Sequence, residues 1–562
     1  MIRVILALLA LAAAVGALWH LEADLRGIDR DSAAVGDTPV SIYRAADLDS
    51  GPLVVIAHGF AGSRPLMEPF ALTLARAGYV AVSYDFRGHG RHPRPLSGEL
   101  GDQEGAPALL IEQTREVVEF ALGLPQVDGR LAVLGHSMAT NILVRYAQKD
   151  ERVQATVGIS MFAPTIDEDS PANLLAMAGS LEGRLVEEGR RVVALSQGME
   201  PEDVEAFTTY GSLAEGRGRR LVISPRVEHV GVLYSRTSLN EARRWLDGVF
   251  GAEASGGQGL PPRGEEALHG AGDPQIGPSG GWVSARGRWL ALLFGGLLVL
   301  AWPLSALLPR ARTVDAAVPD PGASRGRRSS SGSGSGSGVA EGPSWKTFAL
   351  LAGLPALLTP LLLTLISTDF LPVVVGDYVA VHFGVYGLLT GGLLWWKSGR
   401  PGAGEVLDAG GLRRPGLGRT LLGAVLVFAF FLVALAWPID RYFTSFMPIG
   451  ARMPLILAVL AGTLPYFVAD EWLTRRAQPL RGAYPLTKLL FLLSLGLAVG
   501  LDFEGLFFLI IIVPVIVLFF IVHGLFSRWA FRQTGSPLVA GLANAAAFAW
   551  ALGVTFPLYA GV

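Results

Sequence analysis

Two hydrophobic patterns divide this chain. From about residue 38 to 250, short apolar runs alternate with stretches whose apolar residues recur at helical spacing. Pro52–Ala57 (PLVVIA) reads as a buried strand, Arg64–Ala77 as a helix and Tyr79–Tyr84 (YVAVSY) as a strand. Ala106–Leu122 is helical, Leu131–Leu134 is a strand and Ser137–Gln148 is a helix. Ala155–Ser160, Asn173–Ala178 and Leu221–Ser224 read as further strands, and Asn240–Phe250 as a closing helix. Such alternation predicts an α/β domain with a doubly wound, mostly parallel sheet covered on both faces. Beyond it the pattern changes. Apolar runs near 289–308, 347–367, 372–396, 420–437, 454–473, 488–501, 505–525 and 537–559 each approach the about 20 residues that a bilayer core requires. Residues 287–562 therefore read as an all-α polytopic transmembrane bundle of about eight helices. A further run, Val4–Trp19, follows Arg3; residues 1–20 read as a retained signal anchor, with a cleaved signal peptide as the alternative. Residues 251–285 form a Gly/Pro-rich linker, and 313–345 contain a Ser/Gly tract that reads as a tether.

Charge orients these runs, because cytoplasmic loops collect Lys and Arg. One alternate set of loops carries Arg310, Arg312, Arg325, Arg327, Arg328 and Lys346, then Lys397, Arg400, Arg413, Arg414 and Arg419. The same set continues with Arg475, Arg476, Arg481 and Lys488, then Arg528 and Arg532. The intervening loops are short and acidic or mixed: Asp369; Asp440, Arg441 and Arg452; Asp502 and Glu504. The basic loops are expected in the cytoplasm of a multi-pass inner-membrane protein, and the α/β domain outside it. Arg286 and Arg288 are a minor violation of that assignment.

Composition sharpens the picture. The chain is 51% apolar and 17% charged, below the about 25% charge of a soluble globular protein. A net charge of −2 gives no electrostatic case for a nucleic-acid partner. The absence of cysteine excludes disulfides, thiolate metal sites and cysteine nucleophiles. No histidine–carboxylate cluster has zinc spacing, so neither a metal nor another cofactor is expected. The oligomeric state is not fixed by any feature of the sequence.

The sharpest local chemistry is Leu134-Gly135-His136-Ser137-Met138-Ala139, which ends a strand and opens a helix. A serine on such a turn stands above the sheet edge, and the helix N-terminus offers N–H groups to a developing oxyanion. These residues resemble the nucleophile elbow G-x-S-x-G of the α/β-hydrolase family, with Ala139 in place of the last glycine. Two more stretches support the resemblance, which covers 38–250. His58-Gly59-Phe60 follows a strand where that family places its oxyanion loop, and Asp85-Phe86-Arg87-Gly88-His89-Gly90 resembles its D-x-R-G-x-G turn. The resemblance implies Ser137 as nucleophile and the backbone N–H groups of Phe60 and Met138 as oxyanion donors. It also implies the chain order serine, acid, histidine. His229 follows the last strand and is the expected base; His269 lies in the linker. Glu182, in Gly179-Ser180-Leu181-Glu182, is the expected acid, with Asp167, Glu168 and Asp169 as the alternative position and Asp203 as a weaker rival. His58 and His89 are expected to brace loops, His136 to pack beside the nucleophile, and Asp85 to stabilise a turn.

The resulting expectation is a membrane-tethered serine hydrolase of the esterase or lipase kind. It would cleave an acyl ester of a lipid-like substrate through an acyl-enzyme. Met161-Phe162-Ala163-Pro164 and residues 199–215 could line the acyl pocket. The other functional class is a transporter or scaffold with a non-catalytic hydrolase-like module. Within the apolar half, Asp470 and Glu471 read as an interfacial ion-pair cluster with Arg475 and Arg476, while Asp377, His382 and Asn544 either face a polar cavity or join helices by hydrogen bonds.

Overall fold

A computed structural model describes residues 1–98, 102–251, 281–311, 345–368, 370–398, 416–475 and 480–560. Most of both low-complexity stretches, with His269, Asp369, Arg400, Arg413, Arg414 and Arg476, lies outside the described residues. The chain divides into two compact units. One comprises Ala12–Phe294, Pro438–Met447 and Pro557–Val562; the other comprises Met1–Leu11, Gly295–Trp437 and Pro448–Phe556.

The first unit is built on a sheet of nine strands: β1 (Ile28–Val35), β2 (Thr38–Ala45), β3 (Gly51–Ala57), β4 (Val80–Tyr84), β5 (Val127–His136), β6 (Val153–Ile159), β7 (Leu174–Gly179), β8 (Thr209–Tyr210) and β9 (Arg219–Ser224). Their spatial order is β1-β2-β4-β3-β5-β6-β7-β9-β8. The strands from β4 to β9 are parallel, while β1, β2 and β8 add antiparallel edges. Side-chain alternation explains the double covering. Leu53, Val55 and Ala57 pack into one core with Leu110, Val117, Ile142 and Leu143. Val54 and Ile56 pack into the other with Phe70, Leu74, Trp245 and Leu246. The helices supplying those residues are α2 (Glu68–Arg76), α3 (Ala106–Leu122), α4 (Met138–Ala147) and α6 (Arg236–Phe250), with α5 (Gly183–Gln197) set over β7 and β9; α1 is Ile2–Ala23.

This winding sets the position of the site. After β3 the chain passes through α2 to β4 on one side; after β5 it passes through α4 to β6 on the other. The connections leave opposite faces of the sheet, so the carboxyl ends of β3 and β5 form a topological switch point.

The alternation pattern and the observed elements agree closely, with informative exceptions. The expected 64–77 helix is a short 3₁₀ turn, Arg64–Met67, followed by α2. The sheet begins at β1, before residue 38, and residues 438–447 and 557–562 belong to the sheet's unit rather than to the helical one. Arg286, which violated the charge rule, is fully buried in the sheet's unit against the carboxylate of Glu68 at 2.5 Å. Burial with a partner removes it from the set of free loop charges that orient membrane segments.

Among the described residues, nine helices are long and apolar enough to cross a membrane: Ile2–Ala23, Arg286–Leu307, Trp345–Leu363, Gly376–Lys397, Gly416–Tyr442, Arg452–Thr474, Ala483–Leu501, Ile512–Thr534 and Pro537–Thr555. The helical unit is held by close backbone approach and aromatic packing. A Cβ on Gly387 would sit 2.2 Å from Tyr466 N, and one on Gly462 would sit 2.1 Å from Ala380 O. Phe383 packs on Tyr466, Phe491 and Phe548 within 4.4 to 4.8 Å.

The charges of this unit depart from a purely interfacial cluster. Glu471 pairs with Arg475 one turn away, as expected, at 3.2 Å. Asp470 instead reaches another helix and pairs with Lys488 at 2.5 Å. Lys488, counted as a loop cation from sequence, is 6% exposed inside the 483–501 helix. Arg452 is buried and donates to the carbonyls of Gly553 and Phe556 at the end of the 537–555 helix. His382 bonds Ser494 (3.1 Å), His523 bonds Asn544 (3.0 Å), and Asp377 accepts from Phe370 N.

Candidate active site

β5 ends at His136 and α4 begins at Met138, so Ser137 alone makes the turn. It does so with φ 55° and ψ −121°, a conformation disfavoured for any residue with a Cβ. The strain is held by bonds on both sides: Ser137 N donates to Ile159 O at 2.9 Å, and Thr140 N donates to Ser137 O at 2.8 Å. Ala139, in the place of a glycine, is fully buried, and the small side chain fits.

The structure brings three of the expected residues into one relay. Ser137 Oγ lies 2.9 Å from His229 Nε2, and His229 Nδ1 lies 2.6 Å from Glu182 Oε1. The second carboxylate oxygen of Glu182 accepts from Gly179 N at 2.7 Å and from Ser160 Oγ at 2.8 Å. Burial acts to raise the Glu182 carboxyl, but the hydrogen bonds from His229, Gly179 and Ser160 outweigh it and hold it below the ordinary carboxylate value. An ionised Glu182 can accept only from a donor, which fixes the proton of neutral His229 on Nδ1. Nε2 is then free to accept the Ser137 hydroxyl proton.

The other groups fall around this relay. His136 is buried with its ring centre 4.8 Å from that of His229, and its Nε2 donates to the His229 carbonyl at 2.9 Å. Burial, together with the neighbouring imidazole, pushes His136 down to about 3, so it stays neutral. His58 is also kept neutral by burial; its Nδ1 donates to Gly59 O and its Nε2 accepts from Phe86 N. Asp85 accepts from Arg64 N, Arg64 Nε and Arg91 N, tying the β3 loop to the β4 turn. A Cβ on Gly59 would lie 2.9 Å from Ser137 Cβ. Glycine therefore lets the backbone of His58-Gly59-Phe60 lie against the serine, where the resemblance places the Phe60 N–H. Met138 N opens α4 beside the same serine.

The alternative acids are not brought to the relay. Asp167 instead accepts from Asp169 N and Ser170 N within its own turn, and Asp203 sits in the 3₁₀ turn Pro201–Asp203. Ser160 also serves the site, although in the sequence it is marked only as the end of an apolar strand. Its φ of 48° turns it out of β6 toward Glu182, and only the parallel pairing of β6 with β7 shows that it is near. Apolar side chains flank the relay. Leu181, beside Glu182, is 68% exposed; Phe162, whose backbone is bonded to Thr140, is 61% exposed.

The sheet order, the elbow and the relay define the class: an α/β-hydrolase domain joined to a C-terminal helical region. The family-model comparison agrees. Residues 50–204 match the family model described as Serine aminopeptidase, S33. An Escherichia coli protein, described as an uncharacterized 31.7 kDa protein in the traX-finO intergenic region, is 31% identical over 114 residues, 20% of this chain and 38% of that one. The quorum-quenching protein AidA of Acinetobacter baumannii (strain MDR-ZJ06) is 26% identical over 124 residues, covering 21% and 37%. The chain thus spans well under half the length of these curated relatives. A CIB-like hydrolase from Thermoplasma acidophilum superposes with a TM-score of 0.30 at 13% identity, covering 39% of this chain and 97% of that one. The match over residues 50–204 and the sheet order together assign the α/β-hydrolase fold to this part of the chain.

Proposed function

We propose that this chain is a serine hydrolase that cleaves acyl esters. Ser137 is the nucleophile, His229 the general base and acid, and Glu182 the group that orients and stabilises the imidazolium. The backbone N–H groups of Phe60 and Met138 hold the oxyanion, and water hydrolyses the acyl-enzyme. The observation that carries this reading is the unbroken relay from Ser137 Oγ through His229 to Glu182. No metal or other cofactor enters the mechanism. The exposed apolar side chains of Phe162 and Leu181, with Val230 next to His229, support an acyl or lipid-like substrate. The alternation of basic and acidic loops supports a multi-pass protein of the cytoplasmic membrane with the hydrolase domain outside the cytoplasm.

Activity-based labelling tests the reading directly. A fluorophosphonate is expected to modify Ser137 of the full-length protein, and Ser137→Ala to abolish both labelling and ester turnover. A series of p-nitrophenyl esters of increasing chain length, run beside aminoacyl p-nitroanilides, is expected to show turnover of the esters, rising with chain length. Absence of labelling at Ser137 would overturn the reading in favour of a non-catalytic binding module. Turnover of the anilides alone would replace the ester with an aminoacyl amide.

A further inference from the structure

The loops around the relay are held by a segment that enters the same unit from far downstream in sequence. Pro438–Met447 belongs to the compact unit of the sheet, although its first residues end the long apolar Gly416–Tyr442 helix and the Arg452–Thr474 helix follows it. Asp440 closes the segment on itself: its Oδ1 accepts from Phe446 N at 2.8 Å and Met447 N at 2.9 Å. Its Oδ2 pairs at 2.6 Å with Arg91, which follows the D-x-R-G-x-G turn. Thr444 Oγ1 lies 2.7 Å from Ser63 Oγ, and Ser445 N donates to that same Ser63 oxygen at 2.7 Å. Phe443 stacks on Tyr234 at 6.0 Å. Tyr234 ends the 3₁₀ turn Gly231–Tyr234, which starts just after His229.

One segment therefore bridges the β3 loop, the β4 turn and the turn beside the base. The β3 loop is tied to the β4 turn through Asp85 and His58, and the 438–447 segment adds a further hold at Ser63. Gly62 N bonds Gly59 O at 3.0 Å, and Ala61 takes a left-handed φ of 56°, which costs about 1 kcal/mol or more for a residue with a Cβ. Ser63 is 1% exposed, so its hydroxyl is an internal anchor rather than a solvated surface group. An oxyanion donor stabilises the transition state only from the right position, and small displacements cost rate.

We propose that Ser63 is a positioning residue for the oxyanion loop, and that Thr444 and Ser445 of the 438–447 segment hold it in place. Transition-state stabilisation at Ser137 then depends on a segment outside the hydrolase sequence proper. The proposal rests on the serine-hydrolase reading above. Ser63→Ala in the full-length protein tests it, with three readouts. Loss of the anchor is expected to lower kcat about tenfold with KM changed by less than about twofold. Affinity for a trifluoromethyl ketone, whose adduct places an oxyanion in the hole, is expected to fall by about the same factor, as is the rate of fluorophosphonate labelling. A merely destabilised protein would lower the melting temperature without moving the ketone affinity of the folded fraction. Thr444→Val is expected to act in the same direction, and Thr444→Ser to restore the wild-type values. If Ser63→Ala does not fold, the Thr444 pair of variants decides. Values for both Ser63→Ala and Thr444→Val within about twofold of wild type on all three readouts would overturn the proposal while leaving the hydrolase intact. A wild-type protein that is neither labelled nor active would overturn the underlying reading, and the proposal with it. A wild-type protein labelled at Ser137 but inactive on esters would overturn only the ester assignment, and the labelling rate would still test Ser63.

Discussion

At the scale of single residues, the relay depends on protonation states that the surroundings enforce. Glu182 is held ionised by three donors, so its contribution to folding is complete above its ordinary value and is lost as pH falls through its lowered one. Glu182→Gln keeps the size and removes the charge. It is expected to lower kcat by about 10³- to 10⁴-fold with little change in KM, because the imidazolium loses its stabilising partner and the tautomer is no longer fixed. Steady-state kinetics on a short ester checks this. His136 behaves oppositely in sign of charge but alike in pH dependence. It is neutral when folded, at about 3, and takes up a proton near its ordinary 6.5 when unfolded. Stability is therefore lost as pH falls from about 6.5, at up to about 1.4 kcal/mol per pH unit for this one group. His136→Asn is expected to flatten the fall in melting temperature between pH 6.5 and 4. An unchanged slope would assign the acid sensitivity elsewhere. At this scale, Ser137, His229 and Glu182 were legible because each follows a recognisable strand in the expected order. Ser160 and Ser63 were not, because their partners lie 22 and 381 residues away.

At the scale of elements, legibility followed burial. The interior strands β3, β4 and β5 are covered on both faces and read as continuous apolar runs. β1 (IDRDSAAV) is an edge strand with only one buried side chain and carries no such run. α5 went unread because GRLVEEGRRVVALSQ mixes charge and apolar residues, and β8 is only two residues long. Helix pairing in the apolar half was equally hidden: hydropathy locates spans but does not say which charges meet. The pairing of Asp470 with Lys488 joins the 452–474 and 483–501 helices with both groups buried. Breaking such a pair strands one charge, whereas replacing both restores an apolar contact. Lys488→Met is expected to destabilise the protein by about 3 kcal/mol or more, and the double substitution Asp470→Leu with Lys488→Met to recover most of that loss. Thermal unfolding in detergent gives the comparison. Equal losses in the single and double variants would show that the pair is not the source.

At the scale of the whole molecule, low charge and high apolar content describe neither part of the chain. They average an α/β-hydrolase domain with a helical region whose buried charges, among the described residues, are paired or hydrogen-bonded. What the linear sequence could not show is that residues 438–447 and 557–562 complete the hydrolase unit, because nothing in their composition separates them from neighbouring loops. The proposed orientation does rest on the sequence, through the sidedness of Lys and Arg. The lack of cysteine makes it directly measurable, since any introduced thiol is unique. Ala214, exposed in the hydrolase unit, and Lys397, exposed at the end of the 376–397 helix, report the two sides. In intact cells an Ala214→Cys protein is expected to react with a membrane-impermeant maleimide, and a Lys397→Cys protein to react only after permeabilisation. Opposite behaviour would place the hydrolase domain in the cytoplasm and would mean that its substrate must be reached from the inner leaflet. Reaction of both thiols in intact cells would break the alternation itself, because an odd number of crossings must separate the two positions for the charge rule to hold.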